Sequence, residues 1–264
     1  MYNNILDQIM MTKKEELAAF VMPEIQRKAS RHSLKQALLQ PNHELGLIAE
    51  VKQASPSKGL FRETMDPAAV AESYAGAGAD AISVLTDRTY FHGSNENLVK
   101  VRQAVNLPVL RKDFIIDERQ VEEAARIGAD AILLIAAALD PIQLHELYLA
   151  AEEKGMESLV EVHRPEEAEA VLHVFTPEII GVNNRDLKTF ETKLEVTASL
   201  AGMIPDGVVF VSESGIRSGR DVYYLKHRGV NAALVGESLI RARDVKKKVT
   251  ELFGREVRTS APHT

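Results

Sequence analysis

The feature that most constrains this chain is a rhythm. From residue 45 onward, short apolar runs rich in β-branched residues alternate with amphipathic segments. The runs recur at steps of roughly 25 residues, the length of one strand–loop–helix–turn unit of a (β/α)8 barrel. Strands are expected at 45–51, 81–85, 108–112, 130–135, 157–162, 178–182, 207–212 and 231–235. Helices are expected near 67–77, 95–104, 117–127, 141–154, 165–173, 193–201, 218–227 and 239–252. Runs such as AISVL, AILLI and VVFV are apolar almost throughout, as parallel strands covered on both faces must be. A doubly wound sheet has about five or six strands, so eight uninterrupted units favour an α/β fold of the (β/α)8 TIM-barrel type.

A weak internal repeat agrees with this. Gly78-Ala79-Asp80-Ala81-Ile82 recurs as Gly128-Ala129-Asp130-Ala131-Ile132, and more loosely as Gly229-Val230-Asn231-Ala232-Ala233. Each glycine follows a helix and precedes a strand, where a left-handed cap suits a residue without Cβ. Ahead of the barrel, Ile5, Ile9, Leu17 and Phe20 recur at helical spacing, and a short second helix is expected from Ser33 to Leu39 with Ser33 as its N-cap. Residues 1–44 read as a helical extension too small for a core of its own. The expected organisation is one barrel domain over 1–254 that includes this extension, then a polar, disordered tail at 255–264.

Composition narrows the function classes. The 264 residues contain no cysteine, which excludes disulfides, thiolate metal sites and a cysteine nucleophile. A net charge of −6 argues against a nucleic-acid surface, and the eight histidines show no HxH or HxxxH metal spacing. No apolar run approaches the ~20 residues of a membrane span. The start lacks the basic region and unbroken apolar core of a signal peptide, so a cytoplasmic location is expected. The expected partner is a small anionic molecule, with no metal or cofactor, no nucleic acid and no membrane. A monomer is favoured.

In a barrel, functional groups gather where strands run out at their C-terminal ends. In IAEVKQASPSKG, Glu50 and Lys52 stand two apart and share a strand face with Ile48. Lys112 ends the third strand, Glu161 sits inside LVEVH, Asn183 and Arg185 lie in GVNNRDL, and Glu213 and Ser214 in VSESG. A carboxylate embedded in an apolar strand needs a partner to offset its desolvation. A structural ion pair such as Glu50–Lys112 would meet that need, but such pairs are weak stability devices. Two glutamates and two lysines converging on one mouth favour acid–base catalysis. The lysines are expected to lower each other's pKa and the neighbouring glutamates to raise it; a lysine tuned towards neutrality can donate a proton. Gly215 and the Gly236-Glu237-Ser238 turn follow strands seven and eight, where phosphate is often held, with Ser55 and Lys52 able to complete the site. Phe91, Phe114, Leu133, Leu187 and Val235 offer an apolar wall for a flat ligand. Residues 53–62 are expected to act as a lid.

The segments AEVKQASPSKG, SVLTDRTYFHGS, PVLRKDFIID, LVEVH, GVNNRDL, SESGI and VGESLIRA, in this order, resemble indole-3-glycerol phosphate synthase. The likeness runs from about residue 5 to 253, with minor departures at Glu118-Arg119 and His92. It implies a (β/α)8 lyase of tryptophan biosynthesis that closes 1-(2-carboxyphenylamino)-1-deoxyribulose 5-phosphate into an indole with loss of CO2 and water. It further implies Lys112 as general acid, Glu161 as base or acid–base partner, Lys52 bridging the anionic groups or moving protons, and Glu50 orienting the lysines. Asn183 and Arg185 would face the anthranilate carboxylate, with Glu213 and Ser214 nearby. Ser55, Gly215, Gly236, Glu237 and Ser238 would take phosphate, and Phe91, Phe114 and Leu187 the ring. Three other readings stay open: phosphoribosylanthranilate isomerase, although its cysteine base is missing here; a Schiff-base aldolase; and a non-catalytic barrel that binds a sugar phosphate.

Overall fold

The computed structural model describes residues 5–25, 30–186 and 189–254. The expected tail at 255–264 and Leu187 lie outside the described residues. Eight parallel strands close into a barrel: β1 (Gly46–Val51), β2 (Ala81–Leu85), β3 (Val109–Lys112), β4 (Ala131–Ile135), β5 (Glu157–Val162), β6 (Ile179–Asn183), β7 (Val209–Glu213) and β8 (Ala232–Val235). Each pairs with the next in sequence, and β1 pairs with β8 in the register Gly46↔Ala232 to close the ring. Boundaries fall within two residues of those expected.

The strands alternate two cores. Ile48, Leu110, Leu159, Val211 and Leu234 point into the lumen, whereas Leu47, Val84, Val160 and Val235 face the surrounding helices. Both sets are buried, which is why the sequence shows unbroken apolar runs rather than alternation.

The repeat has a second cause beside its glycines. Gly78, Gly128 and Gly229 do take positive φ, at 88°, 93° and 79°. The residue two places on closes the neighbouring strand. Asp80 accepts the Leu47 N–H at 2.8 Å, Asp130 the Val109 N–H at 3.0 Å, and Asn231 the Phe210 N–H at 2.8 Å. Each side-chain oxygen satisfies a buried amide at the start of an adjacent strand that would otherwise be orphaned.

The N-terminal extension visits both ends of the barrel. Helix α1 (Ile5–Ala18) lies at the C-terminal mouth, where Lys13 pairs with Asp87 and Asp113 at 2.8 and 3.0 Å. Helix α2 (Leu34–Leu39) plugs the opposite end, with Leu34 and Leu38 packed among the lumen residues. Ser33 caps it as expected, and also donates to Glu157 at the foot of β5 at 2.6 Å. Seven helices follow the first seven strands: α3 (Pro67–Gly76), α4 (Asn95–Ala104), α5 (Glu118–Ile127), α6 (Pro141–Glu153), α7 (Pro165–Val174), α8 (Glu195–Leu200) and α9 (Gly219–Lys226). The expected last helix, 239–252, is two. Four-residue α10 (Glu237–Ile240) ends at a turn, and α11 (Val245–Phe253) starts afresh where the Asp244 side chain accepts the Lys247 N–H.

Candidate active site

The lumen register delivers the charged residues. Glu50, Lys112, Glu161 and Glu213 each stand two residues beyond a lumen-facing apolar residue: Ile48, Leu110, Leu159 and Val211. All four therefore enter the mouth from different strands, above the apolar floor. They border a cavity of about 360 Å³.

At its base the Lys112 Nζ lies 3.0 Å from Glu161 Oε2 and 2.9 Å from Glu213 Oε2. Glu50 does not pair with Lys112. Its carboxylate holds Lys52 instead, one turn of the strand pleat higher. The second oxygen of Glu213, Oε1, is buried without a hydrogen-bond partner. Gly181 on β6 makes room for it, since a Cβ there would collide with that oxygen. Gly236 does the same for Glu50, with Lys52 Nζ 3.1 Å from where its Cβ would lie.

Of the opposed influences expected on the lysines, that of the acids prevails at Lys112. Burial lowers the Lys112 pKa, but Glu161, Glu213 and Glu50 outweigh it and raise the pKa above the ordinary lysine value. Three acids surround Lys112, which is held as ammonium. The perturbed group is a glutamate. Burial, with Glu161 and Glu50 adding to it against Lys112, pushes the Glu213 carboxyl up to about 7. For Glu161, burial works upward, but Lys112, His163 and hydrogen bonds from Lys112 and Asn183 hold it below the usual glutamate value.

Around this base the remaining expected residues line the cavity. Phe91 and Phe114 face each other at a 6.1 Å centroid separation, tilted by 37°. Leu133 is part of the lumen floor. Arg185 donates to Ser57 at 3.4 Å and to the Phe190 carbonyl at 3.3 Å, joining the loop after β1 to the loop after β6. Ser55, Gly215, Glu237 and Ser238 also border the cavity. The Ser238 hydroxyl donates to the Ile216 carbonyl at 2.8 Å. Glu237 pairs with Arg241 at 3.3 Å. Val235 borders the cavity at its edge and also packs with the outer core, and Leu234 is the apolar lumen residue of β8.

Ser214 has φ 66° and Gly215 φ 84°. A left-handed serine is strained, and buried Asn184 holds it there. The Asn184 amide donates to the Glu213 and Ser214 carbonyls at 2.9 and 3.1 Å, while its oxygen accepts from the Thr197 hydroxyl at 2.8 Å. The sequence reading singled out Asn183 of the Asn-Asn pair and passed over Asn184.

Other cavity residues were also missed. Ile5, Leu6 and Ile9 come from α1, whose apolar spacing was visible but whose docking place was not. Phe61 lies between two cations, with Lys52 Nζ 5.7 Å and the Arg241 guanidinium 4.8 Å from its ring centre. Arg62 donates to the Ile240 carbonyl at 3.0 Å and ties this loop to the end of α10. The 53–62 stretch, expected as a loop, contains a small antiparallel pairing of Ala54–Ser55 with Gly59–Leu60.

Fold and mouth together define a (β/α)8 barrel with lysine, arginine and glutamate side chains gathered round one cavity at the C-terminal ends of its strands. The description "Indole-3-glycerol phosphate synthase" matches residues 3–252. The indole-3-glycerol phosphate synthase of Geobacillus thermodenitrificans is 56% identical over 252 residues, covering 96% of this chain and 98% of the relative. That of Bacillus velezensis is 55% identical over 250 residues, covering 95% and 100%. A solved structure described as "Native KDPGal structure" aligns with a TM-score of 0.56 at 16% identity, over 80% of this chain and 91% of that one, a likeness of fold alone. The chain belongs to the indole-3-glycerol phosphate synthase family of decarboxylating lyases in tryptophan biosynthesis.

Proposed function

We propose that this chain closes 1-(2-carboxyphenylamino)-1-deoxyribulose 5-phosphate to the indole with Lys112 as general acid. The observation that carries the reading is the Lys112 ammonium fixed between Glu161 and Glu213 at the base of the cavity. An ammonium held charged is the proton-bearing form. It gives up its proton when attack by the aryl ring turns the substrate carbonyl oxygen into an alkoxide, a far stronger base. Loss of CO2 then restores ring aromaticity, so the electron pair needs no external sink. Glu161, kept ionised, takes the proton released as the second double bond forms. Glu213 tunes the Lys112–Glu161 pair.

The binding groups match the substrate's charges. Gly215, Gly236 and Ser238, with Lys52 and Arg241 at the rim, suit the phosphate. Arg185 and Asn183 suit the anthranilate carboxylate, and Phe91 with Phe114 its ring. A Schiff-base route is disfavoured because it needs a neutral amine, and Lys112 is held protonated.

The test is indole absorbance during turnover of this substrate by the purified chain. Turnover is expected, and Lys112→Ala is expected to lower kcat by about 10³-fold or more with substrate binding retained. A normal kcat in Lys112→Ala would remove Lys112 from the chemistry.

A further inference from the structure

The proposed reaction does not balance in protons within the site. The substrate carboxylate leaves as neutral CO2, and its bonding pair goes into the ring. The carbonyl oxygen leaves as water and takes two protons. One comes back when the neighbouring CH2 loses hydrogen to form the second double bond. The other must be drawn from solvent, once per turnover, while the substrate fills the mouth above Lys112.

His163 is placed for that task. It follows β5 and shares the lumen parity of Glu161. Glu161 has one oxygen on Lys112, and its other oxygen lies 3.4 Å from His163 Nε2. On the far side, His163 Nδ1 lies 3.5 Å from Glu167 in the first turn of α7. The His163 side chain is only 9% exposed, yet neither ring nitrogen completes a hydrogen bond. A buried imidazole left unsatisfied between two carboxylates is costly as scaffolding. It suits a ring that must tip towards one acid and then the other. Glu167 leads outward: it accepts the His163 backbone N–H at 2.7 Å and pairs at 2.8 Å with Arg164, which is 65% exposed.

We propose that His163 relays a solvent proton, entering beside Glu167, to Glu161 and so back to Lys112 in each turnover. It is a positioning and proton-transfer residue that does not touch the substrate. In the step, Nε2–H passes its proton to Glu161 while Nδ1 takes one on the Glu167 side, so the ring ends uncharged in balance and one proton has moved inward. The proposal rests on the reaction given above.

The charges facing the ring agree. Glu161 comes from β5, Glu167 from α7 and Glu213 from β7, with Lys112 acting through Glu161 and Arg164 through Glu167. Burial works against the imidazolium, but the nearby Glu167, Glu161 and Glu213 carboxylates prevail, and the His163 pKa is raised.

The experiment is single-turnover indole formation by wild type, His163→Ala and His163→Gln, each with and without added imidazole across pH 6–9. Wild-type turnover establishes the reaction itself; if wild type makes no indole, the reaction is wrong before His163 is in question. With an active wild type, His163→Ala is expected to be slower by about tenfold or more. Substrate affinity should stay within about twofold, and imidazole should restore the rate in proportion to its imidazolium fraction. His163→Gln, which leaves no space for imidazole, is expected to be slow and unrescued. Rates in both variants within about twofold of wild type, or losses that imidazole leaves unchanged in His163→Ala, would overturn the proposal and leave His163 a packing residue.

Discussion

Two lysines stand among acids at the mouth of this barrel, Lys13 buried and Lys112 half-buried, and they are held differently. Lys13 of α1 meets Asp87 and Asp113; Lys112 of β3 meets Glu161 and Glu213. In the outer cluster every oxygen of the two aspartates lies against a hydrogen-bond donor or a cation, although Asp87 Oδ2 meets Lys13 as an ion pair without a completed hydrogen bond. Asp87 Oδ1 accepts the Tyr90 N–H at 2.7 Å, and its Oδ2 faces Lys13. Asp113 Oδ1 accepts the Phe114 N–H at 2.8 Å and also faces Lys13, while its Oδ2 takes the Thr86 hydroxyl at 2.6 Å and Arg111 at 3.3 Å. In the inner cluster, Glu213 keeps a buried oxygen with no partner. In one arrangement a cation or donor faces each carboxylate oxygen and a helix is fixed; in the other an oxygen of Glu213 faces neither. Similar residues serve as a rivet in one place and as machinery in the other, and what distinguishes them is whether every carboxylate oxygen has a donor or cation against it.

The sharpest break of this comparison is to delete each cation in turn. Lys13→Met removes the cation facing buried Asp87, leaves Asp113 with Arg111, and is expected to cost about 3–5 kcal/mol in denaturant unfolding. Lys112→Ala is expected to cost less, under about 2 kcal/mol, because Glu213 is already poised to take up a proton and shed its charge. Equal losses of stability would erase the distinction.

A smaller effect sharpens the inner cluster alone. A methyl group at Gly236 would strike the Glu50 carboxylate and crowd Lys52 Nζ at 3.1 Å. Gly236→Ala is therefore expected to lower kcat/KM by about 10²-fold, since a displacement of that size in a positioned site is costly. The melting temperature should hardly move. A variant with wild-type kcat/KM would show that the Glu50–Lys52 pair need not stay where it is.

The smallest effect is in pH, where the clusters have opposite signs. Burial would raise the Asp113 carboxyl, but Lys13, Arg111 and the Thr86 hydroxyl hold it at about 2, below its ordinary 3.8. A depressed acid stabilises the fold above its unfolded pKa, so a contribution of about 2 kcal/mol should be present at pH 5 and fade as pH falls from 4 towards 2. Glu213 is raised from 4.5 to about 7. Its contribution is fully present below pH 4.5 and is lost as pH rises through 7. Glu213→Gln should flatten the neutral limb of a stability–pH curve and leave the acid limb unchanged; a curve unchanged on both limbs would refute the assignment.

The same contrast explains what could be read in advance. Glu50, Lys112, Glu161 and Glu213 interrupt apolar strands, and a charge in such a run has no harmless reading, so the inner cluster was visible. Lys13 lies in TKKEELAA, where one charged helical residue looks like the next, and only the docked barrel reveals which of them is covered. The protonation balance was not legible for a related reason. Strand periodicity shows which groups meet, but not that three acids would outnumber the one lysine. Asn184, Phe61 and the break at Asp244 act through loop conformation, which leaves no periodic trace. The barrel itself was legible because its eight units repeat one rule.

Closure of that barrel between β1 and β8 has a consequence for how the enzyme comes into being. Glu50 and Lys52 are among the first barrel residues to leave the ribosome, and Gly236, which shapes their seat, is among the last. A growing chain can pair seven strands in order, yet it has no proton-handling mouth beside a phosphate seat until the final strand docks against the first. A chain stopped before the last unit would present two unpaired strand edges and lack the Gly236 seat for Glu50 and Lys52.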